Sequence, residues 1–182
     1  MNDLKTALDE ANFAKAEELL RAGAEINSVN DYGESLLDEI LTVINDNTER
    51  QTVAKFMLQH GADPRIISPD GSGPLFAAVI AQDTEVLRLL LDHGADPNRE
   101  QEGGETLYDW AEFDYRYEAY DLKLPEAASN ADRVSENAWL QYLDRLAIKY
   151  GKRRPDYLFL LRERGALTST EKQAQAGPKP AQ

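Results

Sequence analysis

A chain of 182 residues with 42% apolar and 29% charged side chains can bury one core, or one core with an appendage, and is too apolar for wholesale disorder. It has no cysteine, which excludes disulfides, thiol catalysis and cysteine zinc sites. The net charge of −13 is uneven: residues 1–111 hold 8 basic and 22 acidic groups, net −14, while residues 112–182 hold 12 basic and 11 acidic, net +1.

A segment at −14 is repelled by phosphate backbones and by anionic membrane surfaces, so neither nucleic acid nor a membrane is expected as partner. A basic protein is the partner such a charge favours; the plain alternative is that acidity only keeps the chain soluble. The apolar run 75–81 is far too short to span a bilayer. The opening MNDLKTALDE has no basic start and no apolar stretch, so the expected location is cytoplasmic.

In chain order, LKTA (4–7) is followed by a helical run AEELLRA (16–22) and then GAEINSVNDYG (23–33). The pattern returns as GESLLDEI (33–40), AKFMLQH (54–60) and GADPRIISPDG (61–71). It returns again as GSGPLFAA (71–78), LRLLLDH (87–93) and GADPNREQEGG (94–104). GETLYDWA (104–111) opens a last copy, which YLFLLRERGA (157–166) closes. The lead positions Leu4, Leu37, Leu75 and Tyr108 lie 33, 38 and 33 residues apart. A fixed period near 33 marks a repeat architecture, in which each unit buries its apolar face only against its neighbours.

Within each copy the physics repeats too. Leu87, Leu90 and Leu91 sit at i, i+3 and i+4, one apolar helix stripe; Ala54, Met57 and Leu58 repeat it, as do Ala16, Leu19 and Leu20. Gly23, Gly61, Gly94 and Gly165 follow their helices where a left-handed residue ends them. The polar AKAEE run and the Arg162, Glu163, Arg164 run suit the wet outer faces of two end repeats. Five extra residues in INDNTERQ (44–51) read as a lengthened helix–helix turn. An excess of 38 residues places an insertion at about 113–155. Its first part has no clean period. Its second part predicts a helix capped by Ser135 and ended by Gly151, with Trp139, Leu143, Leu146 and Tyr150 on one face. That helix either caps the stack or binds a partner. TSTEKQAQAGPKPAQ (168–182) has no large apolar residue and is expected to be a disordered tail.

These motifs resemble the ankyrin repeat family, whose pattern is G-x-T-P-L-H-x-A, a turn, a second helix ending L-L-x-x-G-A-D, and a hairpin-like finger. The likeness covers roughly residues 3–112 and 155–167 and implies an all-α ankyrin-repeat solenoid of about four repeats over residues 1–167. The motif proline is present only as Pro74, and Asp38, Phe76 and Asp109 stand where the motif has histidine. The family's Thr–His hydrogen bond is therefore not expected here.

No catalytic residue, metal ligand set or cofactor motif emerges, and an enzyme is not expected. His60 and His93 each precede a helix-ending glycine, where a basic group suits the helix dipole. The resemblance implies a non-catalytic protein-binding module that uses inner helices and finger tips. The candidate partner-facing residues are Asp31, Tyr32, Glu39, Asp70, Glu100, Glu102 and Trp110, then Asp114, Tyr115 and Tyr117 of the insertion. Tryptophan and tyrosine are enriched among interface hot spots; Trp110 packing beneath the insertion helix is the alternative. The expected partner is a basic protein, the free chain is expected to be monomeric, and an immunity or inhibitor protein is one concrete version. An enzyme or scaffold subunit with its site in the insertion is the competing class.

Overall fold

The computed structural model describes residues 3–99 and 104–176 and divides the chain into two compact units, Met1–Glu102 and Gly103–Gln182. The described residues are helical except for turns, loops and one antiparallel bridge between Val29 and Ser35.

The first unit holds α1 (Asp3–Asp9), α2 (Phe13–Arg21), α3 (Leu36–Val43), α4 (Asn47–Gln59), α5 (Pro74–Ile80) and α6 (Thr84–Asp92). Each of α2, α3, α4 and α6 starts on a side-chain oxygen that accepts a backbone N–H three residues on: Asn12, Ser35, Asp46 and Asp83. Helix α5 starts instead on Pro74, whose missing N–H costs nothing in the first turn. Helix α1 packs on α2 and α3, α3 on α5, and α4 on α6. The core is the predicted one: Leu4, Leu37, Ala54, Met57, Leu87 and Leu90 are all buried. The first repeat is wetter, with only Ala16 of α2 fully covered.

The extra residues of the second repeat correct the sequence expectation. They extend α4 to 13 residues, against 9 for α2 and for α6, and do not lengthen the turn. The added turn of helix carries Arg50, whose guanidinium donates to the Leu41 and Ile44 carbonyls at the end of α3. Those carbonyls have no partner within a helix, so a buried arginine supplies it. The same group pairs with Asp83 at 3.3 Å, and Gln51 Nε2 donates to Asp83 at 3.0 Å. Arg50 and Asp83 are both buried, so the charge has left water only where a partner and extra hydrogen bonds receive it.

The second unit holds α7 (Leu107–Tyr120), a 3-10 turn (Ala131–Arg133), α8 (Glu136–Tyr150), α9 (Asp156–Glu163) and α10 (Ser169–Ala176). Helix α7 continues through the first part of the insertion, where the sequence shows no clean period. It ends at Asp121 and Leu122, both in left-handed backbone. Ser135 caps α8 and Gly151 ends it at φ 62°, as the sequence predicts. The buried face of α8 is Leu140, Tyr142, Leu143, Leu146 and Ala147; Tyr150 lies off it, exposed, and donates to Glu126 at 2.8 Å. The loop before α8 is tied down by Tyr142 donating to the Glu126 carbonyl at 2.5 Å and by an Arg145–Asp132 ion pair.

The tail expected over 168–182 is corrected for residues 169–176, which form a helix; residues 177–182 lie outside the described residues. Helix α10 forms because Glu171 receives Arg162 in two hydrogen bonds, at 2.6 and 2.8 Å, and closes on the Thr168 N–H at 2.9 Å. Arg162, expected on a wet outer face, is thereby engaged. No helix among the described residues is long and apolar enough to cross a membrane.

Candidate functional site

The finger tips of the first unit are built by side chains that hold tight turns. Asn30 Oδ1 accepts the N–H groups of Tyr32 at 2.9 Å and Glu34 at 3.1 Å. This turn projects Asp31 and Tyr32, the latter 79% exposed. The next tip is held by Asp70, whose carboxylate accepts from Ser68 Oγ, Ser72 Oγ and Ser72 N–H. Those three donors hold the exposed Asp70 carboxyl below the usual carboxylate range. The two tips abut. A Cβ at Gly33 would stand 2.8 Å from Pro69 Cδ, and the φ of Gly33 is +83°, so both space and backbone demand glycine there. Below the tips, Asn27 bridges the repeats by donating to the Gly61 carbonyl at 3.0 Å and accepting from Asp63 N–H at 2.7 Å.

Behind this surface sits Asp38, at the motif's histidine position and 7% exposed. Burial first, then the charges of Glu34, Asp70 and Glu39, push its carboxyl up to about 6. Glu39, expected to face a partner, is half-buried and paired with Lys5 at 2.9 Å. The partner-facing expectation for Glu39 thus meets an internal ion pair that a partner would have to displace. Glu100 and Glu102 lie outside the described residues.

In the second unit, Asp109 takes over what the motif's histidine would do. Thr106 and Asp109 form a reciprocal cap at the start of α7, with Asp109 Oδ2 accepting from Thr106 N–H and Oγ1–H. Along α7, Trp110 is half-buried, while Phe113 and Tyr117 are exposed. Spaced i, i+3 and i+7, the three make one aromatic stripe. A shallow concavity beside it is lined by Glu105, Asp109, Trp110, Glu112, Phe113 and Arg116. Asp114 is half-buried. Tyr115 corrects the expectation: it is 1% exposed, packs edge-on to Tyr157 and donates its hydroxyl to the Arg153 carbonyl at 2.8 Å. Burial pushes its phenol up. It is core and not a contact residue, because a helix turns 100° per residue and position 115 faces α9 when 113 and 117 face out.

Two residues of the aromatic and acidic run after Trp110 stand outside the expected partner-facing set. Phe113 completes the stripe, and its i+3 spacing from Trp110 was the available signal. Glu112, the second, receives Arg116 and also the Trp139 indole N–H at 2.7 Å, a contact between α7 and α8 that no spacing in the chain reveals. The two histidines cap their own helices, each ring Nδ1 lying 2.8 Å from the carbonyl four residues back, Phe56 for His60 and Leu89 for His93. Among the described residues, no group of three or more histidine or acidic side chains could hold a metal ion.

Comparison with known proteins bears on the repeat pattern. A family model described as ankyrin repeats (3 copies) matches residues 4–101. An ankyrin repeat-containing protein of Treponema pallidum is 33% identical over 109 residues, covering 59% of this chain and 35% of that protein. An ankyrin repeat protein of Acanthamoeba polyphaga mimivirus is 33% identical over 101 residues, covering 47% of this chain and 13% of the relative. The chain thus spans about a third or less of these relatives. A crystal structure of an ankyrin repeat domain from Acinetobacter baumannii is 30% identical, covers 51% of this chain and 47% of that chain, and has a TM-score of 0.46.

Proposed function

The chain belongs to the ankyrin repeat family, whose repeats generally mediate protein–protein interaction, and on that premise we propose that it is a non-catalytic module that captures a basic protein. The observation that carries this reading is the abutting pair of finger tips: Asp31, Tyr32 and Asp70 are exposed together on a segment whose charge to residue 111 is −14. Asp31 and Asp70 supply the field, and Tyr32 supplies apolar area at low conformational cost. The second unit, taken by itself, offers aromatic anchors in the α7 stripe of Trp110, Phe113 and Tyr117. An inhibitor or immunity protein that neutralises a basic toxin domain is the concrete form with the right charge.

The test is capture on the immobilised chain at low salt, followed by elution with rising salt. A basic protein that elutes with salt, and that the Asp31→Lys/Asp70→Lys variant fails to retain, supports the reading. Retention of acidic or neutral proteins alone, unchanged by the variant, overturns it.

A further inference from the structure

We propose that the cavity between α7, α8 and the start of α10 receives one cationic side chain of the partner, an arginine in preference to a lysine. This rests on the basic-partner reading and names the group recognised in the second unit. The cavity holds about 740 Å³ and is walled by Tyr108, Glu112, Arg116, Glu136, Trp139 and Glu171.

Its carboxylates are not equivalent. Glu112 is taken by Arg116 and by the Trp139 indole. Glu171 is taken by Arg162 and by the Thr168 N–H. Asp109, on the same wall, accepts from Thr106 and from the Ser169 N–H at 2.9 Å. Glu136 is half-buried, and no side chain of the described residues pairs with it. Around it stand Glu171, Arg162, Glu112 and Asp109, and burial holds its carboxyl above the usual range. The one cation among these neighbours, Arg162, is paired with Glu171, so a carboxylate kept partly out of water beside three others has no counter-charge of its own.

A second, independent observation points the same way. The Tyr108 hydroxyl faces this wall, 1% of the residue is exposed, and the oxygen has no hydrogen-bond partner. Buried polar groups are almost always paired, so this oxygen is an acceptor and donor in waiting. A guanidinium answers both groups: it donates to Glu136, reaches Tyr108 Oη by a small opening of the wall over that buried oxygen, and its plane can lie against the Trp139 ring. Its planar fork with five donors is why arginine is preferred.

An anion is the opposing possibility, because α8 and α10 both begin at this cavity. Three of the N–H groups at these two helix starts are already used: Ala138 N–H by Ser135, Thr168 N–H by Glu171, and Ser169 N–H by Asp109. The exposed Arg133 stands at the rim, Arg116 on the wall is paired with Glu112, and Arg162 is paired with Glu171. The lining carries four carboxylates, Asp109, Glu112, Glu136 and Glu171, against two arginines, Arg116 and Arg133, so the field of the cavity opposes an anion.

The experiment is a nitrogen-15 NMR titration of the full chain, reading the indole N–H of Trp139. The chain has two tryptophans, so Trp110→Phe assigns the peak. The probes are N-acetyl-arginine amide, the neutral isostere N-acetyl-citrulline amide, N-acetyl-lysine amide and inorganic phosphate. The expected result is a saturable shift with the arginine probe, at a half-saturation at least about tenfold below that of the citrulline probe and below that of lysine. Glu136→Gln should raise the arginine half-saturation about tenfold without lowering the thermal midpoint, since it removes a carboxylate that burial disfavours, and Glu136→Asp should recover part of the loss. Equal responses to arginine and citrulline, a saturable response to phosphate, or an unchanged Glu136→Gln titration would each overturn the proposal. Failure here with salt-eluted capture of a basic protein intact removes this subsite alone. Loss of capture with the arginine response intact removes the basic-partner reading and leaves the subsite.

Discussion

Replacing Asp38 by asparagine should stabilise the first unit at neutral pH. Asp38 occupies the third position of α3, behind the finger tips, at 7% exposure. Its carboxyl is raised from 3.8 to about 6, by burial first and by Glu34, Asp70 and Glu39 next. Between pH 4 and 6 the folded state therefore binds more protons than the unfolded state, and stability must fall as pH rises through that window. A shift of about two pH units corresponds to about 3 kcal/mol, and with screening from nearby solvent about 1–2 kcal/mol remains. Asparagine keeps the shape and cannot ionise. Urea unfolding of both proteins from pH 3.5 to 8 measures the effect. The two should be near-equal at pH 3.5, the variant gaining progressively from pH 4 to 6 and holding a constant lead above. A variant that is less stable at pH 7.5, or a gap that does not change with pH, would refute the reasoning.

Other expectations follow from particular contacts. Leu90→Ala, at a fully buried position, should cost about 2–5 kcal/mol in denaturant unfolding. Arg50→Met should cost about 3–5 kcal/mol, because Asp83 stays buried without its partner, and the double variant Arg50→Met/Asp83→Asn should recover part of this. Glu171 is held down at about 2 by Arg162, so its contribution is present above pH 4.5 and lost as pH falls from 4.5 to 2. Glu171→Gln should therefore lower helix content and cost about 1 kcal/mol at pH 7, and that difference should vanish near pH 2, read by circular dichroism along an acid titration.

The repeat architecture was legible because its signals are local and recur. Apolar stripes at i, i+3 and i+4, a glycine behind each helix, and one period near 33 fixed the helices of the first unit to within a few residues. What was missed depends on partners distant in the chain. The added turn of α4 is helix and not loop because Arg50 finds the α3 carbonyls and Asp83. Helix α10 is polar throughout and has no period to read; it exists because Arg162 and Asp109 meet its first turn. Tyr115 and Tyr117 look alike in sequence, yet one is core and one is surface, since alternation along a helix separates them by about 200°. The finger-tip acids Asp31 and Asp70 were readable; the Glu136–Tyr108–Trp139 cavity was not, because three elements build it.

Association kinetics with the captured partner, measured by stopped flow across ionic strength, test the central claim most directly. Opposed charge across an interface acts mainly on the association rate and is screened by salt, whereas buried aromatic anchors act on residence time. The association rate should fall at least about tenfold from low to high salt. Asp31→Lys/Asp70→Lys should slow association, and Trp110→Ala should speed dissociation. A salt-independent association rate, or an acidic partner, would contradict the account.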